Sequence, residues 1–148
     1  MISSNRFLPW LFALVLLACP ALARANIGDD LPTLRQRYGS AQILSGQALF
    51  QHDGYSICAY FDGSHVGMEV FCRDGSVKGK TDITDKDIEA ILAAEGEGLT
   101  WAPYTTPRGQ PVWIRLDHKV IARLSAGDNP GDKFLTIMLN DKPDATGK

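Results

Sequence analysis

This chain has little of what metal and nucleophilic chemistry need. Its 148 residues hold three cysteines and three histidines, and no two stand at the C-x-x-C or H-x-x-x-H spacing that fixes two ligands on one local element. The G-x-S-x-G elbow, the G-x-G-x-x-G turn and the Walker phosphate loop are all missing. Charge of one sign is not in excess either. Fifteen Lys+Arg stand against 17 Asp+Glu, with the basic residues scattered singly, so there is no footprint for a nucleic-acid backbone, which calls for clustered cations. His52, His65 and His118, with Asp53, Asp62, Asp117 and Glu69, are ligand types, but they read as solvated turn and strand residues. No metal or cofactor is expected, and "DITDKD" and "DNPGD" lack the EF-hand order.

Long apolar runs are also scarce. The longest, Phe7 to Ala18, has 12 residues, short of the roughly 20 a membrane span requires. Arg6 precedes it, and the small-residue sites Ala21-Leu22-Ala23 and Ala23-Arg24-Ala25 follow it, which is the order of a secretory leader. The expected organisation is a signal peptide at 1–23, one domain at 24–139 and a flexible tail at 140–148, with a periplasmic or secreted location. Cleavage after Ala25 is the neighbouring option. Leu16-Leu17-Ala18-Cys19 resembles a lipobox that would make Cys19 a lipid-bearing first residue, although Leu17 fits poorly there. Removal of 1–23 leaves 125 residues with a net charge of −3, enough for one core and hardly for two.

What is present is periodic. Asp29 or Asp30 as cap, Pro32 in a first turn, and Leu31, Leu34 and Tyr38 on one side before Gly39 predict a short helix. Strands are predicted at Gln47–Gln51, in "YSICAYF" and "VGMEVFC" around an Asp62–His65 turn, at Val112–Leu116 and Val120–Leu124 around Asp117-His118-Lys119, and in "FLTIML". Thr84 with Asp87 three residues on predicts a second helix with Ile88, Ile91 and Leu92 inward and Gly96 and Gly98 at its end. "WAPYTTPRGQP" reads as a connection. The expected fold is α+β, an antiparallel sheet of five or six strands with two helices on one face. A shift of 55 residues lays "SICAYFDGSHV" on "PVWIRLDHKVI", as an internal α-β-β-β duplication would and as any two amphipathic hairpins would.

The opening "IGDDLPTLRQRYG", with Gly28 ahead of a short helix ending in Tyr38-Gly39, resembles the start of small exported proteins of the BamE (SmpA/OmlA) and beta-lactamase-inhibitor-like type. That resemblance covers about a dozen residues. It implies helices set against an antiparallel sheet and binding to other proteins, and it carries over no site residue.

After leader removal Cys58 and Cys72 remain, and an oxidising compartment favours a bond between them. Simple alternation turns Cys58 outward and Cys72 inward, which opposes pairing, whereas a bulge at Gly67 would reverse the phase. Both outcomes stay open. Alternation also turns Trp113, Arg115, Ile121 and Arg123 away from the apolar side, together with Tyr60, while Trp101, Tyr104 and Arg108 sit in or beside the proline-rich stretch. Trp, Tyr and Arg dominate interface hot spots. The leading expectation is therefore a non-enzymatic module binding another exported or envelope protein through Tyr60, Trp101, Tyr104, Arg108, Trp113, Arg115 and Arg123. The alternatives are a small hydrolase or thiol enzyme using Cys58 and His65, and a structural subunit or secreted inhibitor.

Overall fold

A computed structural model of the chain describes residues 27–75, 82–128 and 132–140. The expected leader, Cys19 and residues 141–148 of the tail lie outside the described residues. Among the described residues two helices and eight strands follow one another as α1 (Leu31–Tyr38), β1 (Ala41–Leu44), β2 (Gln47–His52), β3 (Tyr55–Asp62), β4 (His65–Arg73), α2 (Asp85–Glu95), β5 (Trp101–Thr105), β6 (Pro111–Arg115), β7 (Val120–Ala126) and β8 (Lys133–Leu139). All eight strands form one antiparallel sheet in the order β1-β2-β3-β4-β8-β7-β6-β5.

This corrects the expected fold class. The molecule is mostly β, and the two strands absent from the prediction, β1 and β5, are the two edges of the sheet. Edge strands bury little, so they show no clean alternation, and β5 carries Pro103, which a strand tolerates at an edge. The expected α-β-β-β unit fails for the same reason, since each helix precedes four strands. The 55-residue shift lays β3, third from its edge, on β6, second from the other edge.

Local chemistry explains both helices. Asp30 caps α1 by accepting from the Thr33 N–H at 3.0 Å, and Gly39 ends it at φ +90°, a conformation costly for a side chain with a Cβ. Thr84 caps α2, and Asp87 returns a bond to the Thr84 N–H at 2.8 Å, completing a capping box. The Asp87 carboxylate also accepts the Tyr55 hydroxyl at 2.7 Å and pairs with Arg73, tying the start of α2 to β3 and β4. Burial acts to raise the Asp87 pKa, but the bonds from Thr84, Tyr55 and Arg73 outweigh it and hold it at about 2. At the other end of α2 the Trp101 indole donates to the Leu92 carbonyl at 2.7 Å, satisfying one of the open carbonyls of the last turn.

Leu34 and Tyr38 of α1 and Ile88, Ile91 and Leu92 of α2 close over one sheet face, against Phe50, Ile57, Phe71, Val120, Ala122, Leu135 and Ile137. This single cluster is the core. None of the described residues packs as a second layer on the other face.

Candidate functional site

Register decides which side chains that second face carries. In the β3–β4 hairpin the pairing runs Tyr60↔Met68 but Phe61↔Val66, leaving Gly67 as an extra residue on β4. An extra residue reverses the side-chain phase beyond it. Val66 therefore points into the core, Glu69 and Phe71 follow it there, and Met68, Val70 and Cys72 turn to the uncovered side. The reversal answers the cysteine question in part. Cys58 and Cys72 share the uncovered face on neighbouring strands, at diagonal positions, and both thiols are free.

A second phase difference lies in the β6–β7 hairpin. Val112 pairs with Arg123 and Ile114 with Ile121, so Val112 and Ile114 lie on the uncovered face, while Trp113 stands opposite Ala122 on the helix side. The expected alignment of Val112 and Ile114 with Val120 and Ala122 is off by one residue, and one residue inverts a whole strand. Trp113 is half-buried against the core. Arg115 is buried and held bidentately by Asp117 at 3.0 and 2.8 Å, with Glu97 at 2.9 Å on its third nitrogen. Bonds from Arg115 depress the Asp117 pKa, helped by the Lys119 N–H. Trp101 is occupied with α2, and Arg108 lies exposed in the β5–β6 turn. Of the seven residues expected at the interface, Tyr60, Tyr104 and Arg123 share the uncovered face. Trp101, Trp113 and Arg115 are on the helix side instead.

The uncovered face is built from cross-strand rows. One runs Tyr60, Met68, Met138, Ile121, Ile114, Ala102; the next runs Cys58, Val70, Thr136, Arg123, Val112, Tyr104. Strand spacing makes the eight-stranded face about 34 Å wide. Its rows are apolar or neutral except for Arg123, whose Nε is buried with no hydrogen-bond acceptor. Arg123's two facing neighbours, Val112 and Thr136, are themselves buried on this otherwise open side.

A different cluster is sealed between the layers. Glu69 on β4 is fully buried between Ala59 and Ile137, and neither of its carboxyl oxygens has a partner among the described residues. Glu95, at the end of α2, accepts the Tyr38 hydroxyl at 3.1 Å and pairs with Arg37 at 2.6 Å through one oxygen, while the other is orphaned. Burial raises the Glu95 pKa to about 7 against the pull of Arg37. Burial, then the nearby charge of Glu95, raises that of Glu69 well above the ordinary 4.5. Burial and the same two carboxyl groups push the Tyr38 hydroxyl up as well. A cleft of about 190 Å³ reaches Glu95 between Arg37, Tyr38, His52 and Ile91, but Glu69 is closed to any substrate.

No protein-family model, curated protein or solved structure matches this chain. Cys58 stands opposite Val70, whereas His65 stands opposite Asp62 at the hairpin tip, a separation of about 13 Å along the strands. No thiol–imidazole pair is assembled there. Among the described residues no three His, Cys, Asp or Glu side chains are grouped to hold a metal ion, and no helix is long and apolar enough to cross a membrane.

Proposed function

We propose that this protein is a non-enzymatic binding module that docks another exported or envelope protein on the uncovered face of its sheet. One observation carries the reading: about twenty side chains in cross-strand rows, mostly apolar, with no covering layer among the described residues. A sheet face of this composition is ordinarily buried against something, and its size matches the 20 to 30 residues that one partner contributes to a standard interface. Tyr60, Tyr104 and Arg123 provide residue types that act as anchors. The leader-like residues 1–23 support an exported setting, and the resemblance of the α1 region to small exported binding proteins agrees with it.

The test is site-specific photo-crosslinking in producing cells, with the reactive amino acid placed at Tyr60 on the uncovered face or at exposed Arg35 on α1. A discrete adduct with a second protein from position 60 and none from position 35 is expected. Equal labelling from both positions, or no adduct from position 60, overturns the proposal.

A further inference from the structure

Resting on the docking reading above, we infer that the partner presents a carboxylate set among apolar residues, and that Arg123 receives it. Arg123 is the one formal charge within the rows, two strands in from the β5 edge; its Nε is sealed without an acceptor, which leaves the two terminal nitrogens of its half-buried side chain for a docked partner to reach. A guanidinium presents a fixed fork of donors that matches a carboxylate in two parallel bonds. Left unmatched beneath a docked apolar surface, it would be a desolvated cation without a counter-charge, which costs more than the contact returns. The partner must therefore bring an anion to this point.

The face itself argues against other occupants. A second copy stacked through the same face has no carboxylate to offer, because the rows contain neither Asp nor Glu and Asp62 stands at the exposed tip of the β3–β4 hairpin. A bilayer surface is a poor match too. Proteins lying on lipid keep cations at the rim, where they reach headgroups, and not inside an apolar field.

The experiment selects displayed random constrained loops against the immobilised protein, then measures the enriched clones on Arg123→Gln and on Met68→Lys. Met68→Lys places a charge in the neighbouring apolar row, and melting curves confirm that both variants fold. The expected clones carry one Asp or Glu among apolar residues and lose about tenfold or more in affinity on Arg123→Gln. They also weaken on Met68→Lys. Clones that weaken on Met68→Lys but bind Arg123→Gln equally well leave the docking face standing and overturn the carboxylate. Clones indifferent to both variants, or the absence of any binder, overturn the docking reading and this inference with it. Concentration-dependent dimers that Arg123→Gln leaves intact, or equal binding of both proteins to anionic vesicles, also overturn it.

Discussion

Replacing Glu69 by Gln isolates what a carboxyl group costs when it is closed inside the core. In the native protein Glu69 faces Glu95, Arg37 and Tyr38, with Asp29 also close enough to act on it, and neither of its oxygens has a donor. Burial raises its pKa, so the folded chain keeps a proton that the unfolded chain releases above about 4.5. Below pH 4.5 both states are protonated and the group contributes no pH dependence. Above it stability falls by about 1.4 kcal/mol per pH unit for each retained proton, until the folded pKa is passed.

Each pH unit over which only the folded chain keeps this proton removes at most about 1.4 kcal/mol, because relaxation around the site softens the loss. Gln keeps the shape and cannot ionise. Urea midpoints should place Glu69→Gln within about 1 kcal/mol of the parent at pH 5 and increasingly above it as pH rises from 5 to 8, with unchanged m-values. Parallel pH profiles for the two proteins, or a Gln variant that is weaker at pH 8, would refute the retained proton on Glu69.

Asp87→Asn loses the pairing with Arg73 and weakens the capping box, and should cost about 2 to 3 kcal/mol at pH 7 by denaturant melts. Because the native Asp87 pKa is depressed to about 2, that difference should hold above pH 3.8 and fade as pH falls toward 2. Arg115→Ala takes the guanidinium away from Asp117 and Glu97 and opens a gap, and should destabilise the fold by about 2 to 4 kcal/mol, while the affinity of loops selected on the uncovered face stays the same. Trp101→Phe removes the bond to the Leu92 carbonyl, with a loss of about 1 kcal/mol in a thermal melt. Cys58 and Cys72 should both react with a thiol reagent in the unfolded, unreduced protein; no reaction would show that they bond across the diagonal.

What could be read from the chain is what local chemistry determines. Asp30 and Thr84 are capping residues whatever surrounds them, and Gly39 and Gly96 close the helices where expected. The Asp53-Gly54 turn, with both residues at positive φ, fixes the β2–β3 hairpin in the same local way. Residues whose role depends on pairing could not be read. Trp113 and Arg115 change sides because the β6–β7 loop sets the register one residue from the expected alignment. Glu69 gives no local sign of burial either, since a lone Glu in an alternating strand reads as its solvated member.

The Gly67 bulge connects the buried acid to the open face. Without it β4 is an amphipathic strand with Val66, Met68, Val70 and Cys72 inward and Glu69 outward, at the expense of turning Phe71 outward as well. With it the strand goes against its own pattern twice, sending an acid into the core and setting Met68, Val70 and Cys72 on the open side. One inserted residue thus produces both the sealed carboxyl group and part of the apolar field beside Arg123. Sequences agree with their folds at most positions, and the positions where they disagree concentrate at sites kept for another purpose. Phe71 gains a place in the core, but leaving Met68 and Val70 on the open side and burying a carboxyl group are each destabilising. A partner docked as proposed on the uncovered face would offset the first cost by covering Met68 and Val70 again, which gives the bulge a physical reason on that reading.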